Sequence, residues 1–132
     1  MEITKLYPPR IFRLGMQAQI EIKHCANIEL ATDEQVTFVT SSGTEYDVVR
    51  KSWGYYATPS LNGRLPNYRL RPVLVRNTFD KVYLLLVEQG HEADFEAYLA
   101  AEQQKIICWL DDDEIISKII NVLSDVAELR DL

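Results

Sequence analysis

Residues 70–110 read LRPVLVRNTFDKVYLLLVEQGHEADFEAYLAAEQQKIICWL, and the changes of period within this stretch decide the fold. Leu70–Arg76 and Lys81–Glu88 are runs rich in Val, Leu and Tyr, joined through Asn77-Thr78-Phe79-Asp80, and are expected to form a hairpin. Val82–Val87 shows no alternation, and two apolar faces are expected of a central strand covered on each side. Beyond Gly90 the period changes to that of a helix. Phe95, Tyr98 and Leu99 share one face, while Glu92, Asp94 and Glu96 lie where the helix macrodipole favours acids. Lys105–Leu110 returns to a short strand, and a helix between two strands is expected to be a parallel crossover.

On the C-terminal side, a last helix is expected to begin near Asp111, with Glu114 three residues on as in a capping box. Its apolar stripe is Ile115, Ile116, Ile119, Ile120, Leu123, Val126 and Ala127. Such a stripe is wide for one side of a small sheet, and any part left exposed would favour a homodimer. On the N-terminal side, Met16, Ala18, Ile20 and Ile22 alternate with polar residues, as do Val36 and Phe38. Glu45–Lys51 makes a third strand after the Ser41-Ser42-Gly43 turn, and short connections suggest that the three form an antiparallel meander. Pro8-Pro9 and Gly15 mark residues 1–15 as a lead-in segment. Asn62-Gly63 is a strong type I′ hairpin signal, although Pro59 and Pro66 confine its arms to edges or loops. The expected architecture is α+β, one domain over 1–132: mainly β over 16–88 and mainly α over 89–132. Its antiparallel sheet or partial barrel, of about five to seven strands, is closed by a C-terminal helix-strand-helix.

The 132 residues are 47% apolar and 26% charged, which excludes global disorder and matches the length of one domain. The longest apolar run, Val82–Val87, is six residues, far short of the roughly 20 that span a bilayer. The start, Met1-Glu2-Ile3-Thr4-Lys5, lacks the layout of a secretory signal. Cys25 and Cys108 stand alone, without metal spacing, and are expected to be small buried hydrophobes. A cytoplasmic setting, with no membrane partner, is the expectation.

Charge is unevenly distributed. Residues 1–47 carry a net charge of -3 and residues 88–132 a net charge of -9. Residues 48–79 hold no acid and six bases: Arg50, Lys51, Arg64, Arg69, Arg71 and Arg76. Such a stretch marks a partner surface, or it pairs with the acidic C-terminal part of the same chain. Within it, Trp53, Tyr55, Tyr56 and Tyr68 offer flat walls with polar tips, and Arg50, Lys51, Arg64, Arg69 and Arg71 offer cations. Asn62 supplies an orienting amide or merely the turn. The ligand-binding expectation is therefore an anionic small molecule, or an acidic protein surface, held by residues 50–71. The competing reading is a strand pair with aromatics in the core and cations in solvent.

Nucleic acid is disfavoured by the net charge of -6 and by the lack of a recognised binding signature. No GxSxG, Walker A, dinucleotide, HExxH or CxxC pattern is present. Catalytic residues are therefore unassigned. An enzyme using Tyr55, Tyr56, Arg50 and Lys51 as acid–base or anion-stabilising groups is the alternative. His24 and Cys25 are neighbours and project to opposite faces of a strand, and His91 is expected at the surface. Asp111-Asp112-Asp113-Glu114 lacks calcium-loop spacing and reads as a capped helix start. No metal or cofactor is expected.

Overall fold

The computed structural model describes residues 1–57 and 59–130, with only the backbone of Leu129. They group into two compact units, Met1–Phe38 with Tyr46–Thr58 and Val39–Glu45 with Pro59–Leu132, each described by itself. The architecture is α+β, with eight strands in three small antiparallel sheets and no closed barrel among the described residues. The sheet of five to seven strands is thus corrected to three separate ones. Alternation along one strand specifies a face, whereas the partner strand is specified by long-range pairing.

In the first unit, β1 (Glu2–Leu14) pairs with β2 (Ile20–Glu29) from Leu14↔Ile20 to Glu2↔Glu29. Residues 1–15 are therefore not a lead-in: all but the ends form a strand. The prolines do not end it because they fall where the register slips, between Lys5↔Ala26 and Arg10↔His24, and their missing N–H groups are not called on there. The strand expected from Met16 begins at Ile20, since Gly15 (φ 94°) and Ala18 (φ 52°) turn the chain. Cys25 lies on the slip and is exposed, against the expected burial, because a two-stranded ribbon offers no second layer there. The second sheet has the order β3 (Gln35–Val39), β4 (Glu45–Lys51), β5 (Gly54–Tyr56). The expected meander is displaced by one strand, because β2 takes β1 as its partner.

In the second unit, Asn62-Gly63 makes a turn rather than a hairpin. The Ser60 hydroxyl accepts the Arg64 N–H at 2.7 Å and opens a one-turn helix, α1 (Arg64–Asn67). Gly63 has φ −126°, so it is not needed for a left-handed turn. A Cβ there would stand 2.6 Å from Ser60 Oγ, and the close approach explains the glycine. Pro66 lies within the first helical turn, where its lack of an N–H costs nothing.

β6 (Leu70–Arg76) and β7 (Val82–Glu88) form the expected hairpin. Asn77 Oδ1 accepts the N–H groups of Phe79 and Lys81, both at 2.9 Å, which fixes the turn. α2 (Glu92–Ala101) then leads to β8 (Lys105–Trp109), and α3 (Asp113–Arg130) ends the chain. The strand order is β7-β6-β8, both outer strands antiparallel to β6. β7 and β8 consequently run parallel to each other with β6 between them, so the crossover spans an intervening strand. The central strand is β6, not Val82–Val87. Val82, Tyr83 and Leu84 are exposed, whereas Val73 and Val75 are buried with Val87 and Leu99, and Leu85, Phe95 and Trp109 pack around them. Pro72 is tolerated in a central strand because it sits at the end of the β6–β8 ladder, where its carbonyl accepts the Leu110 N–H at 2.9 Å.

The helix start falls one residue later than expected. Asp112 Oδ1 accepts the N–H of Glu114 at 2.9 Å and of Ile115 at 3.4 Å, leaving Asp111 for another partner. No described helix is long and apolar enough to cross a membrane.

Candidate functional site

The expected ligand-binding segment is divided between the two units. Arg50, Lys51, Trp53, Tyr55 and Tyr56 belong to the first, and Asn62, Arg64, Tyr68, Arg69 and Arg71 to the second.

In the first unit, Lys51↔Gly54 closes a two-residue turn, Ser52-Trp53, between β4 and β5. Gly54 takes φ 146°, a backbone region that side chains other than glycine's rarely enter. Arg50 clamps this tip: Nη1 donates to Gly54 O at 2.9 Å and to Lys51 O, and the guanidinium lies 5.3 Å from the centre of the Tyr55 ring across the ladder. Lys51 Nζ binds Asp33 Oδ1 at 2.5 Å. Trp53, Tyr55 and Tyr56 remain 69%, 59% and 49% exposed. These three aromatics are therefore not core. Both cations beside them are already tied to the framework.

The second group is more strongly committed to structure. Asn62 Nδ2 donates to Asp113 Oδ1 at 3.2 Å, and Arg64 stacks on Tyr68 at 4.1 Å. Arg69 takes φ 67° and its Nη1 reaches Ser42 O at 3.3 Å. Arg71 is the most engaged. Its Nε donates to Asp111 Oδ2 at 2.8 Å, its Nη1 pairs with Glu92 Oε1 at 3.5 Å, and the guanidinium lies 4.0 Å from the centre of the Trp109 ring. The hydrogen bond that Arg71 donates to Asp111 raises the Arg71 pKa further, against the effect of burial. Pairing with the acidic C-terminal part of the chain is thus the use found for Arg71 and Asn62.

Two groupings lie outside the segment expected from the sequence. Glu88 Oε1 accepts hydrogen bonds from Thr40 Oγ1 at 3.0 Å and from Ser42 Oγ, and His91 Nε2 lies 3.7 Å from Glu88 Oε2. The Ser42 hydroxyl, ahead of Thr40 and His91, holds the Glu88 carboxyl below the usual glutamate range in spite of partial burial. The other grouping is Lys5, Arg10 and His24, assembled by the register slip in β1. Pro8-Pro9 is the one local signal that could have announced it. His24 and Cys25 do differ in environment, His24 half-buried and Cys25 exposed. Among the described residues no three His, Cys, Asp or Glu side chains form a metal-ligand set.

Arg71→Ala is expected to destabilise the protein by about 1.5–3 kcal/mol in urea denaturation, the usual worth of hydrogen bonds to charged groups, with Arg71→Lys recovering only part because it lacks the planar fork. Because the folded Glu88 pKa is lowered, its stabilisation is complete above the unfolded value of about 4.3 and is lost as pH falls through the folded one. Glu88→Gln is accordingly expected to separate from the parent protein in urea midpoint at pH 7, with the gap narrowing as pH falls through the folded Glu88 value. Comparison with protein-family models, curated proteins and solved structures gives no match, so the functional reading rests on this chain's own residues.

Proposed function

We propose that the chain is a binding module that recognises an acidic surface of a protein partner through the β4–β5 hairpin, residues 50–56. The observation that carries this reading is the joint exposure of Trp53, Tyr55 and Tyr56 on a hairpin whose backbone Arg50 holds in place. Fully burying one large apolar side chain is worth about 1.5–3 kcal/mol, so three adjacent aromatics hold substantial unused binding energy. Rigid aromatic anchors on a preorganised turn also lose little entropy on association. Arg50, held on backbone carbonyls and the Tyr55 ring, keeps its positive charge beside the aromatics, which favours acidic over basic partners. A free anionic small molecule is the lesser alternative, since the aromatics are exposed beside a two-residue turn.

The test uses the two indole N–H signals of Trp53 and Trp109 in a heteronuclear NMR spectrum. A hexaglutamate peptide should move the Trp53 signal and leave Trp109 in place, with the effect abolished in Tyr56→Ala. Citrate giving the same saturating shift would transfer the reading to a small anion, and an unmoved Trp53 would remove it.

A specific observation supports self-association as a second reading. Ile120, Val122 and Leu123 on α3 are 56%, 59% and 60% exposed. Ile116, Ile119, Leu123 and Val126 follow 3-4 spacing, as a helix–helix seam requires. Sedimentation equilibrium should show a dimer that Leu123→Glu converts to monomer without lowering helix content. A monomeric mass at high concentration sinks this second reading.

A further inference from the structure

A separate feature of the first unit concerns the slip in the β1–β2 ladder. Between Lys5↔Ala26 and Arg10↔His24, four residues of β1 stand against Cys25 alone. Two of the four, Pro8 and Pro9, have no N–H to offer β2, so the surplus chain cannot be absorbed into regular pairing. It frames an open concavity of about 620 Å³, within the size range of small-molecule sites.

The lining is chemically one-sided. Lys5, Arg10, Asn27 and Tyr7 contribute donors, and no acidic side chain lines the concavity. Arg10 is preoriented: its guanidinium lies 4.7 Å from the centre of the Phe12 ring, and Nη2 is 3.4 Å from His24 Nδ1. The His24 ring is itself anchored by Nε2 to Ala26 O at 3.1 Å, so Nε2 carries the proton and Nδ1 is left as the acceptor for Arg10. Lys5 has no ion pair among the described residues. By contrast, Arg13 on the same strand pairs with Glu21 at 3.4 Å. In a chain of net charge -6, a concavity with two cations and no carboxylate concentrates the field for an oxyanion. Its volume exceeds what a bare phosphate fills, and Leu6 with Pro8 supplies an apolar edge for an organic body.

We propose that this concavity binds a phosphorylated small molecule, the phosphate between Lys5 and Arg10 and the body against Leu6 and Asn27. The site shares no residue with the β4–β5 hairpin and stands independently of the function proposed for it.

Isothermal titration with ribose 5-phosphate, inorganic phosphate and ribose tests it. Ribose 5-phosphate should bind more tightly than inorganic phosphate, and ribose should not bind. Lys5→Ala and Arg10→Ala should each weaken ribose 5-phosphate by about tenfold or more, as loss of a charge-assisted contact implies. Arg13→Ala and Trp53→Ala should stay within about twofold of the parent protein. Equal weakening in Arg13→Ala would show a diffuse field in place of a site and overturn the proposal, as would the absence of any phosphate-dependent heat at millimolar concentration. Lys5 is exposed, so Lys5→Ala keeps the test decisive should Arg10→Ala fail to fold.

Discussion

One side chain, Arg71, organises the second unit. It lies second in the central strand, and its guanidinium meets Asp111 after β8, Glu92 at the start of α2 and the ring of Trp109 in β8. A half-buried guanidinium has to be matched by acceptors, and here the acceptors come from segments 21 and 40 residues away along the chain. The pairing therefore gathers both ends of the crossover at one end of the sheet. Trp109, held flat against Arg71, meets Phe95 edge-on with ring centres 6.0 Å apart, which carries the same constraint into the core under α2.

The charge asymmetry of the chain takes its meaning from this arrangement. The strongly acidic segment 88–132 is not a free polyanion: Asp111 and Glu92 face Arg71, Asp112 caps α3 and Glu88 is ringed by hydroxyl groups. The acid-free stretch 48–79 is correspondingly occupied, with Arg50 on backbone carbonyls, Lys51 on Asp33 and Arg64 on Tyr68. What the basic segment leaves for recognition is aromatic surface more than charge. Two further cations, Lys5 and Arg10, lie near the start of the chain, where the composition drew no attention.

The course from Leu70 to the end of α3 was legible because each boundary has a local chemical cause: the Asn77 side chain closing its turn, Gly90 at φ 97°, an acid capping the last helix. Partnership between strands was not legible. An apolar run such as Val82–Val87 looks alike on an exposed edge and in a covered centre, and β2 could have joined β1 or β3 with the same alternation. For the candidate site, the aromatic cluster at 53–56 was identified from residue type alone. The commitment of Arg71 depends on a carboxylate 40 residues away, and the grouping of Lys5 with Arg10 depends on a register slip. Neither relation is expressed in local periodicity.

The turn Val39–Glu45 lies between two strands of one sheet, yet it groups with the second unit and lends Thr40 and Ser42 to Glu88. The two units are thus interleaved along the chain. No single cut yields either of them whole: a fragment starting at Pro59 would carry Glu88 without its hydroxyl donors, and one ending before it would carry those hydroxyls without their acceptor. Any dissection of this protein into independent parts has to follow the fold and not the order of the sequence.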